Sequence, residues 1–242
     1  MRMVIENDIK SIFKTIDLNE AEAFYLSTQA IRLAYTTNLV QELCTRYHIR
    51  KVLDVGPHFL TRCIKEFVEP EISVSTLGHE YPKLVPTSIV DEHIQYDLTE
   101  CMWGKPLTSR NAPFDLILYC EIIEHLFISP NLILKLFSGL LADNGGGTLM
   151  IQTPNAVALR KRISMLLGKN PFELLREDFE YKGHIREYTM NELRQYGVTQ
   201  GFSIERNEFC SYWPHLSTNS VERILEALFP SLRQGITIVF RS

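Results

Sequence analysis

The sequence predicts an α/β protein built on a doubly wound, mainly parallel sheet. Three observations lead there. Short apolar segments of strand length alternate with segments of helical period along most of the chain, the pattern of strands joined by helical crossovers. Phe114-Asp-Leu-Ile-Leu-Tyr-Cys120 is almost continuously apolar or aromatic, as a strand covered on both faces requires. Thr148-Leu-Met-Ile-Gln-Thr153 has the same character and follows a helical stripe.

The elements follow in order. Residues 18–48 predict one or two helices, because Phe24, Leu26, Ala30, Leu33, Ala34, Val40, Leu43 and Cys44 recur near the helical period. A first strand is expected at 51–55 and a helix at 59–68, ended by Pro70. Residues 71–78 alternate like a second strand, and His93–Asp97 reads as a third. The fourth strand, Phe114–Cys120, runs into a turn carrying Glu121, Glu124 and His125; at i, i+3 and i+4 these would share one face of a helix. Ser129 and Pro130 supply an N-cap and a proline at the first helical position, with Leu132, Ile133, Leu136 and Leu140 as the apolar stripe and Asp143–Gly147 as the stop. The fifth strand ends at Thr153-Pro154-Asn155, and Leu159, Ile163, Leu166 and Leu167 then form a further helical stripe interleaved with Arg160, Lys161 and Arg162. A capping box of Thr189 and Glu192 starts a helix at 190–199 that Gly201 stops, and strands are expected at 202–205 and 235–240.

Composition narrows the function. With 242 residues, 45% hydrophobic and 22% charged, the chain suits one compact enzyme-sized domain. A net charge of -4 argues against a dominant nucleic-acid surface; the basic run Arg160–Arg162 is the only support for that reading, and a solvated helix face explains it as well. The five cysteines are widely spaced without a Cys-x-x-Cys pair, as expected of reduced thiols in a cytoplasmic protein. No apolar run reaches the roughly 18 residues that span a bilayer, and no His/Cys cluster has metal-ligand spacing, so no metal is expected.

Four motifs, Lys51-Val-Leu-Asp-Val-Gly56, the Glu121-x-x-Glu124-His125 turn, Thr153-Pro-Asn155 and Gly183-His-Ile-Arg-Glu-Tyr-Thr189, resemble in order and spacing the class I S-adenosylmethionine-dependent methyltransferases, in a small-molecule subgroup. The resemblance spans about residues 50–205. It implies a Rossmann-like seven-stranded sheet with an antiparallel last strand, a helical N-terminal cap over residues 1–48, a methyltransferase domain over 49–242 and an inserted lid at about 156–183. It also implies S-adenosyl-L-methionine as cofactor and O-methylation of a small molecule or glycan precursor; a homodimer is compatible with it.

The same resemblance assigns site residues. Asp54 and Gly56 would position the cofactor's ammonium group and let the backbone approach the ligand. Glu80 would accept hydrogen bonds from the ribose hydroxyls, with Leu77 and His79 as nearby alternatives for the position and an exposed turn acid as the plain reading. Asp97 would lie near the adenine amino group, or simply cap a turn. Cys120 and Glu121 would sit beside the methionine part. His125 and His184 are the catalytic candidates, with a structural imidazole bonded to backbone as the alternative for His125. Asn155, Arg186 and Tyr188 would face the acceptor; for His184, Arg186 and Tyr188 the alternative is a structural network holding their loop. The chain departs from the family where Pro57-His58-Phe59 replaces further glycines. That departure motivates the alternative of a catalytically inactive binding or scaffold protein.

Overall fold

The computed structural model describes residues 2–69, 71–143, 146–174, 183–213 and 219–242. Pro70, the Asn144–Gly145 part of the expected helix stop and residues 175–182 of the expected lid lie outside them. Two helices come first, α1 (Glu6–Ile12) and α2 (Glu20–Tyr47), then β1 (Lys51–Val55), α3 (Phe59–Phe67), β2 (Ser73–Gly78), β3 (Glu92–Gln95) and β4 (Leu116–Cys120). The chain continues through α4 (Pro130–Ser138), β5 (Thr148–Pro154), α5 (Leu159–Leu166), α6 (Met190–Thr199), β6 (Ser203–Cys210), α7 (Ser220–Leu228) and β7 (Gly235–Arg241).

The strands form one seven-stranded sheet in the order β3-β2-β1-β4-β5-β7-β6. All neighbours are parallel except β7, which runs antiparallel between β5 and β6. Strand alternation divides the side chains between two cores. Val52, Leu116, Leu118, Met150 and Val239 point to the face covered by α1, α2 and α3. Leu53, Ile117, Tyr119, Leu149, Ile151, Ile238 and Phe240 point to the face holding α4 and α6. The residues of α2 belong to the first core, so the N-terminal helices and the sheet share one interior. Strand order reverses between β1 and β4, and a crevice opens there at the carboxyl ends of the strands.

Of the one or two helices expected over residues 18–48 there is one, the 28-residue α2, capped by Asn19, whose side chain accepts from Glu22 N at 2.9 Å. Other expectations are corrected. The turn after β4 is not a helix start: Glu121 sits at φ 56, in the left-handed region, and only Ile123–His125 make a single 3-10 turn. Glu121, Glu124 and His125 therefore do not share a helix face. Ser129 precedes α4 without a side-chain cap bond, although Pro130 does occupy the first turn. β6 is longer than expected because Glu205, Arg206 and Glu208 hide its strand period; charges suit this edge position. The capping box of Thr189 and Glu192 is present.

Candidate functional site

Two clefts meet along the turn that follows β4. The first, of about 750 Å³, is lined by Gly56, Leu77, Glu80, Asp97, Ile122 and His125, among others, at the ends of β1, β2, β3 and β4. The second, of about 510 Å³, is lined by Phe24 and Gln29 of α2, Glu121, Lys161 of α5, His184 and Trp213, with further residues. A pair of imidazoles, one from each cleft, links them: the ring centroids of His125 and His184 stand 4.9 Å apart, edge to face.

The first cleft owes its shape to Gly56. Its φ is 70°, a conformation that side chains with a Cβ rarely adopt, and a Cβ there would lie 2.6 Å from Ile122 Cδ1. Glu80 is exposed at the rim. Asp97 lines the cleft and also caps the following turn, its Oδ1 accepting from Thr99 N at 2.9 Å and from Thr99 Oγ1 at 2.8 Å. The bulky Phe59, which stands where the family resemblance calls for glycine, turns away from the cleft. It is fully buried against Phe13 and Tyr25, with ring centroids 4.7 and 5.4 Å away. His58 joins the same cluster, and burial lowers its pKa.

Asp54 lines neither cleft. It is buried beneath the loop, where its Oδ2 accepts from Thr61 Oγ1 at 2.6 Å. Thr61 Oγ1 in turn accepts from His58 N at 3.1 Å, so the acid reaches the Pro57–Phe59 loop through Thr61. Burial pushes the Asp54 carboxyl up to about 7, against the lowering effect of Thr61 and Arg32.

The turn after β4 is acidic. Glu124 is fully buried; its Oε2 accepts from Thr153 Oγ1 of β5 at 2.9 Å, and its Oε1 has no partner. Glu121 opens onto the second cleft, and its Oε1 is likewise buried without a partner. Burial raises both carboxyls, and for Glu121 the charge of Glu124 adds to the rise. Arg32 of α2 is the buried cation that offsets this. It donates to Tyr25 Oη at 2.7 Å and to Gln29 Oε1 at 2.9 Å, and it lowers the acids Asp54, Glu121 and Glu124 together. Burial opposes the charge of Arg32, but Tyr25 and Glu121 outweigh it. Nothing singles Arg32 out in the sequence except that a charge falls within the buried stretch of α2.

His125 donates from Nδ1 to the carbonyl of Gly183 at 2.7 Å. This is the structural imidazole anticipated above, and it also places the ring on the wall of the first cleft. His184 Nδ1 lies 3.1 Å from Glu187 Oε1, while the other oxygen of Glu187 pairs with Lys161. Burial brings Lys161 down to about 8. Glu187 and Lys161 were not among the expected site residues; the signal for both is their proximity in sequence to the His184 and Thr153–Asn155 motifs.

Five expected site residues lie outside both clefts: Asp54, Cys120, Asn155, Arg186 and Tyr188. Asn155 is buried and its amide holds backbone, donating to the carbonyls of Ser231 and Arg233 at 3.0 and 2.7 Å and accepting from Val157 N at 3.1 Å. Tyr188 is buried in the second core and bridges to Asn155. Arg186 points outward to Glu192 at 2.6 Å and over the Tyr188 ring. Arg186 and Tyr188 thus hold the loop together with Asn155, whereas His184 lines the second cleft. Cys120 packs against the first core, and burial raises its thiol well above the ordinary value.

No protein-family model matches the chain, and neither does any curated protein sequence. Solved structures do match. An S-adenosylmethionine-dependent methyltransferase from Archaeoglobus fulgidus is 16% identical, with 93% of this chain and 100% of that one covered at a TM-score of 0.53. The 1,6-didemethyltoxoflavin-N1-methyltransferase of Burkholderia thailandensis, with its toxoflavin precursor and S-adenosylhomocysteine bound, is 13% identical, covering 98% and 86% at 0.56. The plantazolicin methyltransferase BpumL in complex with S-adenosylhomocysteine is 13% identical, covering 97% and 93% at 0.58. Strand order, the antiparallel seventh strand and these likenesses agree: the chain has the class I fold of the S-adenosylmethionine-dependent methyltransferases.

Proposed function

We propose that this protein is an S-adenosylmethionine-dependent methyltransferase that methylates a small molecule, with an oxygen atom as acceptor. The observation that carries the reading is the pair of adjoining clefts at the carboxyl ends of the strands, one lined by Gly56, Glu80 and Asp97 and the other by Phe24, Lys161 and His184. The first fits a nucleoside. Gly56 leaves room for close approach, Glu80 offers acceptor oxygens to ribose hydroxyls, and Leu77, Ile122 and Leu126 give an apolar bed for a base. The buried, unpartnered Oε1 of Glu121 fits the cationic amino-acid end of the same ligand. When bound, S-adenosylmethionine supplies a methyl group activated by its sulfonium.

The protein's own residues then orient and enclose. Phe24 and Trp213 provide aromatic walls for a flat or apolar acceptor, and His184 and Lys161 provide polar heads inside the second cleft. Alignment of reactants carries much of the catalysis in such a transfer. The described part of the expected lid, residues 156–174, covers the acceptor in this reading, supported by Ala158, Lys161, Ser164 and Pro171 lining the second cleft. Asp54 supports the cofactor loop through Thr61 instead of touching the ligand. The inactive-scaffold reading loses its steric motive, because Phe59 packs into the helical layer and leaves the first cleft open.

Calorimetry with S-adenosylmethionine and S-adenosylhomocysteine tests the proposal. Saturable binding of both is expected. Absence of binding at millimolar concentration would refute it.

A further inference from the structure

We propose that Glu124, His125 and His184 form a site for one divalent transition-metal ion at the junction of the two clefts. One ligand atom from each of the three lies within 4.8 Å of the others, although the residues are 60 apart in sequence at the extremes and no spacing motif links them. Donors held about 2.1 Å from a tetrahedral ion stand about 3.4 Å from one another. Small side-chain adjustments close the observed separations to that value.

Three independent features point to an ion. The first is the Oε1 of Glu124, a carboxylate oxygen in a fully buried side chain with no hydrogen-bond partner, 4.0 Å from His125 Nε2. A buried polar atom without a partner is costly, and a bound cation removes the cost. The second is the outer support of both imidazoles. His125 Nδ1 donates to the carbonyl of Gly183, and His184 Nδ1 is engaged by the Glu187 carboxylate. Bonds of this kind at one ring nitrogen are the usual outer support of an imidazole that ligates a metal through the other. The third is the fixed placement of the loop bearing His184: Ile185 N and Arg186 N both donate to the Glu124 carbonyl, at 2.8 and 3.1 Å. The ligand set is thus tied together through its own backbone. Two imidazoles and one carboxylate suit a borderline ion such as Zn²⁺ or Co²⁺, and three protein ligands leave coordination positions open. His125 faces the first cleft and His184 the second, so an acceptor oxygen can occupy an open position. This last step rests on the proposed methyltransferase function; the ion site does not.

The test uses the full chain after chelator treatment and dialysis. Titration with Co²⁺ followed by visible absorption, and with Zn²⁺ followed by calorimetry, should show one equivalent bound, with the intense ligand-field bands of a four- or five-coordinate ion. His184→Ala and His125→Ala should each lower the affinity at least tenfold while circular dichroism stays unchanged. Glu187→Gln, which leaves all three ligands in place, should weaken binding ten- to a hundredfold through His184. No saturable binding, or binding that survives both histidine substitutions, would overturn the inference. Calorimetry with S-adenosylhomocysteine on the same samples separates the two readings. A protein that binds cofactor product but not Co²⁺ overturns the metal site alone, whereas one that binds Co²⁺ but not cofactor product upholds the metal site and sinks the methyltransferase reading.

Discussion

Substituting Asp54 by Asn tests whether this acid works as a buried prop beneath the cofactor loop or as a ligand group. In the folded protein its carboxyl titrates at about 7, raised from 3.8 by burial. A folded-state value above the unfolded one means that the native state holds the proton more tightly. The stability linked to Asp54 is therefore fully present below the unfolded value, falls as pH rises, and is lost once pH passes the folded value. The shift of about three units corresponds to on the order of 4 kcal/mol between pH 4 and 7, at about 1.4 kcal/mol per unit. Asparagine matches the neutral carboxyl in shape and still accepts from Thr61, but it does not titrate. Urea unfolding of wild type and Asp54→Asn, followed by circular dichroism from pH 4.5 to 8, isolates this residue, because every other titrating group is common to both. The stability of the variant minus that of wild type should climb with pH and level off above 7. S-adenosylhomocysteine affinity, measured at pH 8, should change less than threefold. A pH-independent difference would refute the burial argument. A large loss of affinity in a well-folded variant would show that Asp54 contacts the ligand.

Three other outcomes follow from the same geometry. Gly56→Ala forces a Cβ into a left-handed backbone and against Ile122 Cδ1, so it should cost about 1–2 kcal/mol in strain and weaken S-adenosylhomocysteine binding at least tenfold by calorimetry; adding Ile122→Ala should recover part of the affinity. Gly197→Ala places a methyl on the ring of Phe240, so it should lower stability in urea by about 1–3 kcal/mol despite alanine's better helix propensity; a gain in stability would show that Phe240 moves aside freely. Arg186→Ala removes an exposed pair with Glu192 and should cost about 0.2–1 kcal/mol, leaving cofactor affinity and acceptor KM unchanged in steady-state assays.

The strands and helices of the sheet were readable in the sequence because burial on both faces leaves a local trace. β1 and α6 have their expected bounds, and β5 extends by one residue to Pro154, since apolar runs, a proline and a capping box are short-range signals. α1, α7 and most of β6 left weaker traces. α1 and α7 are short, and β6 is an edge strand whose charged residues pair with side chains of α2. The candidate site divides in the same way. Gly56, Glu80, Asp97, Glu121, His125 and His184 could be named because each sits next to a strand end or motif, and all six line a cleft. The direction in which a side chain leaves the backbone was not readable. Phe59, which the sequence places in the cofactor loop, packs against α1 and α2 instead, while Phe24, from the apparent core stripe, lies at the second cleft. Asn155, Arg186 and Tyr188 hold a loop, which depends on partners in β7's approach and α6. The buried cation Arg32 and the convergence of Glu124, His125 and His184 depend on contacts between residues far apart in the chain. Local sequence thus determined where the chain becomes strand, helix and turn, because those choices are set by burial period and capping within a few residues. Only the tertiary structure decided which charges lose water and face one another, because that depends on how distant segments pack.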